Sequence, residues 1–164
     1  MNNKKIINLT EKETLKVQFE FFEAIFETIK SIVEKNKIEV TYNSKLNNYV
    51  TSIKNEIEIP IIALMKAAKD VIDKNHEIYK KFLTHETKRN QIFTKLLAQL
   101  TYYEEGTIRQ QFNRNSFNDG TINAVSELLN IDANILNGKN VKSLVSMTYK
   151  FHNCNLNEYF DDIE

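Results

Sequence analysis

Residues 10–35 read TEKETLKVQFEFFEAIFETIKSIVEK, and this stretch decides the fold class. It opens with Thr10 and, three residues on, Glu13. That pairing of hydroxyl and carboxylate can satisfy two orphan backbone N–H groups at a helix start. Leu15, Phe19, Phe22, Phe26, Ile29 and Val33 follow at alternating steps of four and three. On a helix of ~3.6 residues per turn these side chains fall on one stripe. Phe21, Ile25 and Ile32 widen it, while Glu20, Glu23, Glu27, Lys30 and Glu34 take the other side. The spacing predicts an amphipathic helix of about 25 residues, ~37 Å long.

Downstream, Asn36 to Ser44 reads as a connection. Ile38, Val40 and Tyr42 alternate with polar residues, but no partner strand is evident and the segment is assigned to loop. Ser44 is placed to cap a second helix carrying Leu46, Val50, Ile53 and Ile57. That helix must stop or kink at Pro60, which lacks an N–H and clashes with the preceding turn. Residues 61–105 hold neither Gly nor Pro. Ile61, Leu64, Ala68, Val71, Ile78 and Phe82 form a helical seam, flanked by Met65, Ile72, Tyr79 and Leu83. The seam lapses at Asn75-His76 and again from Thr84 to Gln91, then returns with Ile92, Phe93, Leu96, Leu97, Leu100 and Tyr103. One unbroken helix would reach ~68 Å, so two helices meeting near Thr84 to Thr87 are expected.

From Gly106 on, the elements shorten. Helices are predicted over Thr107–Asn113, Thr121–Leu129 and Val141–Phe151. Asn118-Asp119-Gly120 is a turn signal, and Asp132 caps a brief turn ending at Gly138. Leu156, Tyr159, Phe160 and Ile163, among four acids, make a short docked helix or a tail.

Bulk composition agrees with a helical reading. Of 164 residues, 41% are hydrophobic and 27% charged, which is ordinary for a globular domain. Three Gly and one Pro are too few for an all-β fold with a turn at every hairpin. Abundant Asn, Lys and Ile imply AT-rich codons, as in low-GC bacteria and their phages. Lys plus Arg and Asp plus Glu balance at 22 each, so the basic field typical of nucleic-acid binders is absent overall. The single Cys154 forms no internal disulfide, which favours a reducing compartment. The start lacks a signal-peptide core, and the longest apolar run, Ile59 to Met65, is far below the ~20 residues that span a bilayer. A cytoplasmic protein without membrane contact is expected.

Motifs that carry chemistry are sparse. Asp73 and His76 stand one turn apart, as in di-iron bundles, but those sites need a second such element and further carboxylates. A solvated break in the stripe is the simpler reading. His152 and Cys154 are too few for a zinc site. Neither GxGxxG nor GxxxxGK[ST] occurs. The Gly120 turn lacks oxygen ligands at the calcium-loop positions. The Arg-x4–6-His spacing of HEPN-type helical ribonucleases is missing around Arg89, Arg109 and Arg114.

One constellation points to a binding chemistry. A roughly twenty-residue helix-turn-helix count starting at Ile122 puts Val125, Leu129, Ile131 and Leu136 on apolar positions, Ser126 at the close crossing and Asn130 at the turn. Asn134 would then face the major groove, with Arg109, Arg114, Lys139, Lys142 and Lys150 available to phosphates. Gly138 inside the second helix opposes this, at ~1 kcal/mol relative to Ala. Residues 106–164 carry five basic against seven acidic side chains, a net charge of −2, or +2 without the tail from Asn155.

The sequence thus predicts an all-α fold, a helical bundle of long N-terminal helices (10–105) with a cap of shorter C-terminal helices (106–164), in one domain over 1–164. The leading functional expectation is a non-catalytic protein–protein interaction module, an adaptor, inhibitor or assembly subunit. It has no cofactor or metal, its partner is another protein, and a homodimer is plausible because wide apolar faces often complete their burial with a second copy. Phe19, Phe21 and Phe22 are the candidate interface, with Phe21 off the main row and partly exposed; a wide buried face in a bundle is the competing reading. The alternative function is a helix-turn-helix DNA-binding regulator using Arg109, Arg114, Asn134, Lys139 and Lys142. Asn75, if it falls on a packed seam, would set helix register.

Overall fold

The computed structural model describes residues 7–53, 56–88 and 91–154. Helix α1 runs from Glu11 to Lys35. Its predicted capping box is formed: the Glu13 N–H donates to Thr10 Oγ1 at 3.1 Å and the Thr10 N–H to Glu13 Oε1 at 3.0 Å. Glu13 also pairs with Lys81 at 3.1 Å. The Thr10 N–H, and after it the Lys81 ammonium, hold the Glu13 carboxyl below its ordinary pKa against the opposing effect of burial.

After α1 come the strands β1 (Val40–Asn43) and β2 (Asn48–Thr51), then α2 (Ile61–Lys74) and the one-turn α3 (His76–Tyr79) with a 3-10 turn at Lys80–Phe82. Helices α4 (Ile92–Thr101), α5 (Glu105–Arg114), α6 (Asp119–Leu129), α7 (Ala133–Leu136) and α8 (Val141–His152) complete the described chain. The fold is largely all-α, with one long N-terminal helix, shorter C-terminal helices and a single small sheet among the described residues.

Helix α1 packs against both α2 and α8. Val17, Phe21, Phe22, Ile25, Phe26, Ile29 and Val33 are buried along it. The buried face is therefore centred further round than the sequence stripe suggests. Phe21 is fully buried, while Leu15 and Phe19 sit half-buried at the margin. Phe19 and Phe22 meet Phe151 of α8 at ring-centroid distances of 6.3 and 5.1 Å. Phe26 meets Tyr149 at 5.3 Å and stacks on His152 at 3.6 Å. With one partner helix on each side, α1 needs a wider apolar face than a single seam.

The expected helix from Ser44 to Ile57 is not formed. An antiparallel hairpin stands there, with Val40 opposite Thr51, Thr41 opposite Val50 and Tyr42 opposite Tyr49. Asn43 Oδ1 accepts the N–H groups of Lys45 and Leu46 at 3.0 and 3.2 Å, and Asn47 takes a left-handed φ of +49°. This side-chain turn reverses the chain, and Val, Thr and Tyr suit the pleated strands on either side. Pro60 starts α2, its carbonyl accepting the N–H groups of Ala63 and Leu64.

The 61–105 stretch is interrupted at Asn75, again between the 3-10 turn that ends at Phe82 and the start of α4 at Ile92, and a third time after Thr101, where Tyr102 takes a left-handed φ of +64°. Asn75 is buried; its Nδ2 donates to Val71 O at 2.8 Å and to Glu20 Oε2 of α1. It thereby ends α2 and ties that end to α1. Asp73 is likewise no solvated gap. It is buried, accepts the Phe93 N–H at 3.0 Å and pairs with Lys69 at 2.9 Å. A carboxylate of α2 thus caps the first turn of α4, where the positive end of the helix dipole favours it.

Asn118-Asp119-Gly120 is a helix start and not a free turn, since Asn118 Oδ1 accepts the Thr121 N–H at 3.0 Å. Asp132 caps α7 as expected, accepting the Asn134 N–H at 2.8 Å. Gly138 has φ +77°, and a Cβ there would lie 2.5 Å from the Ile59 carbonyl oxygen. Only glycine fits both that backbone and that approach. The tail from Asn155 lies outside the described residues.

Tyr79 joins α3 to α6, its hydroxyl donating to Leu128 O at 2.6 Å from a fully buried ring. Burial raises its pKa far above the ordinary tyrosine value, and the charges of Glu13 and Glu20 add to the shift. Tyr149 is raised as well, by burial and then by Glu34. Above about pH 10 the unfolded chain releases these protons and the folded chain keeps them, so stability falls as pH rises. Urea midpoints should decline above that pH, and Tyr79→Phe should flatten part of the slope while costing about 1 kcal/mol near neutrality. An unchanged slope in Tyr79→Phe contradicts the assignment.

Candidate interaction surface

Among the described residues the exposed large hydrophobic side chains are Tyr42 (53% exposed), Leu46 (66%), Val50 (36%) and Tyr102 (71%). Three of these four belong to the hairpin. The register explains their arrangement. Successive strand residues point to opposite faces, so Tyr42 lies on the face of Tyr49 and Val50 on the other, with Thr41. Leu46 lies in the turn between the strands. Apolar side chains therefore surround the free end of the hairpin on both faces and at its tip.

Its two edges differ. The Ser52 N–H donates to Glu39 O at 3.1 Å, which makes 39/52 a hydrogen-bonded pair and, by alternation, 41/50 and 43/48 as well. The backbone groups of 40, 42, 49 and 51 then point outward. On β2 this edge meets α8, where Ser146 Oγ donates to Tyr49 O. The Tyr49 ring lies 6.0 Å from that of Tyr149. β1 is the outer strand, and its edge presents the N–H and C=O groups of Val40 and Tyr42. An edge of this kind is a template for a further strand.

The residues singled out from sequence fall elsewhere. Phe21 and Phe22 are fully buried and Phe19 is half-buried against Phe151. The aromatic cluster is therefore core in this chain, because α8 and α2 already cover it. In the helix-turn-helix window, Val125, Leu129, Ile131 and Leu136 are buried, and Asn130 closes α6 at φ +53°. The second helix, α7, ends after four residues. Gly138 turns the backbone away there, and α8 starts afresh from its Asn140 cap. Asn134 and Lys139 are exposed on either side of that break, and Lys142 is exposed in the first turn of α8. Arg109 and Arg114 are exposed on α5, which is seated on α4. These five residues do not share one recognition helix.

Other polar groups are spoken for locally. His152 Nδ1 lies 2.9 Å from Glu23 Oε1. Cys154 Sγ donates to Phe151 O at 3.2 Å. His76 pairs with Glu77 at 2.9 Å and, with Lys80, Thr84, His85 and Glu86, lines a hollow of about 690 Å³ beside the break before α4. Lys81 pairs with Glu13, and Arg89 lies outside the described residues. Among the described residues no group of three or more His, Cys, Asp or Glu is placed to hold a metal, and no helix is long and apolar enough to cross a membrane.

Compared with protein-family models, curated proteins and solved structures, the chain matches none.

The burial difference has a direct mutational consequence. Leu46→Ser should change stability by no more than about 0.5 kcal/mol, as expected for an exposed site. Phe22→Ala should cost roughly 3–5 kcal/mol, the value for emptying a core phenylalanine site. Paired urea melts measure both, and a Leu46 cost approaching that of Phe22 contradicts the exposure of the hairpin tip.

Proposed function

We propose that this protein is a non-catalytic interaction module whose hairpin is the contact element. The carrying observation is the concentration of exposed apolar side chains on the hairpin: Tyr42, Leu46 and Val50 lie there, at the only sheet among the described residues. Apolar side chains that cluster in the open commonly mark a contact surface. Because they occupy both faces and the tip, the partner that fits is a protein with an apolar cleft that receives the hairpin end. The outward groups of Val40 and Tyr42 would add main-chain hydrogen bonds to a partner strand. A second copy of the chain is one such partner. We read the protein as cytoplasmic, where a lone thiol such as Cys154 persists.

The test uses the full chain as bait on its native extract, in three forms. These are the wild type, Tyr42→Ser/Leu46→Ser, and Lys139→Gln/Lys142→Gln. The proposal expects a protein held by the wild type and the lysine variant and lost from the hairpin variant. If the partner is a second copy, sedimentation should show a dimer for those two and a monomer for the hairpin variant. Identical retention by all three forms overturns the proposal. So does a salt-sensitive retention of mixed-sequence DNA that the lysine variant alone loses, the signature of phosphate contacts.

A further inference from the structure

Asn137-Gly138 is the single Asn-Gly pair in the chain. Such a pair is chemically labile, because the glycine has no side chain to hinder attack by its own backbone nitrogen. That nitrogen can bond to Cγ of Asn137. The bond from Cγ to Nδ2 then breaks, and the proton displaced from the Gly138 nitrogen leaves on the ammonia. Water opens the resulting cyclic imide at either carbonyl. One opening leaves an aspartyl residue. The other leaves an isoaspartyl residue, whose side-chain methylene now belongs to the backbone.

The fold holds this pair away from reaction. Ring closure needs the Gly138 nitrogen eclipsed with Cβ of Asn137. The ψ of Asn137 is 3°, which eclipses that nitrogen with the backbone nitrogen of Asn137 and swings it well away from Cβ. Three contacts keep it there. The Gly138 N–H donates to Ile135 O at 3.1 Å. Asn137 Oδ1 accepts the Lys139 N–H at 3.0 Å, which fixes the side-chain amide. Gly138 is buried against Ile59, so closely that a Cβ would lie 2.5 Å from the Ile59 carbonyl oxygen. Turning ψ of Asn137 far enough to react would pull Gly138 out of this packing. It would also displace the chain entering α8, whose Val141 and Leu144 are core.

We propose that Asn137-Gly138 is a self-modification site gated by the joint between α7 and α8. The pair converts in chains whose joint has opened, and the isoaspartyl product keeps that joint from closing as before. Its extra backbone methylene lies between Leu136, fixed in the core, and Gly138, so the glycine no longer meets Ile59 in register. The aspartyl product keeps the side-chain oxygen that accepts the Lys139 N–H and closes normally. The site thus turns a transient opening into a lasting covalent record.

Peptide mapping of the full-length protein tests this by following conversion at Asn137 at mildly alkaline pH, in native buffer and in guanidinium chloride. The native rate should be lower by at least about tenfold, since a minor open state is populated at only ~0.1–10%. Leu136→Ala, which empties core beside the joint, should raise the native rate and leave the denatured rate unchanged. After the denaturant is removed, aspartyl chains and the Asn137→Asp variant should melt at the wild-type urea concentration, and isoaspartyl chains at a lower one. Equal wild-type rates in native buffer and denaturant overturn the gating, whether or not Leu136→Ala folds. A folded Leu136→Ala that melts earlier yet converts no faster overturns it too. Isoaspartyl chains with the wild-type midpoint overturn the closing of the joint as the step that conversion blocks.

Discussion

Seven side chains of α1, from Val17 to Val33, must leave water together, and no single neighbouring helix covers them all. Each of the large ones contributes roughly 1.5–3 kcal/mol on full burial. Two different helices share that task, α2 from the following segment and α8 from the far end of the described chain. The contact with α8 closes the fold over more than a hundred residues, and it is largely aromatic, Phe19, Phe22 and Phe26 against Tyr149, Phe151 and His152. Everything between has to be arranged so that α8 can return.

Polar side chains at the joints set that arrangement. Asn75 ends α2 and fastens it to Glu20 of α1. Asp73 carries the start of α4 and so fixes that helix directly to α2. Gly138 lets the chain pass against the Ile59 carbonyl and turn into α8. These buried polar groups are costly unless paired, and pairing them allows one relative placement of the helices. The hairpin is tied to this frame mainly through β2 and α8. Its end is free to carry side chains that the core does not need.

What was legible in the sequence follows from range. The capping box and stripe of α1, the cap at Asp132 and the helix α8 depend on neighbours within a turn or two, and their residues announce them. Phe21 looks marginal in the sequence because the width of a buried face depends on how many helices cover it, which is long-range information. The hairpin is hidden for a related reason. Ile38, Val40 and Tyr42 alternate as a strand does, but Val50 also falls on the helical spacing of Leu46, Ile53 and Ile57, which hides the partner strand. The turn residues Asn43 and Asn47 were the local clue. The helix-turn-helix spacing matched at its first helix and its turn, and failed where Gly138 meets Ile59, a contact across about eighty residues of chain.

Native-state hydrogen exchange tests the separation of core and contact element most directly. The amides of Phe21 to Ile29 should exchange only through global unfolding, with the free energy of the urea melt. The outward amides of Val40 and Tyr42 should exchange far faster, as unprotected edge groups do. Edge amides as protected as those of α1, or an α1 that opens well below the global free energy, would contradict the account.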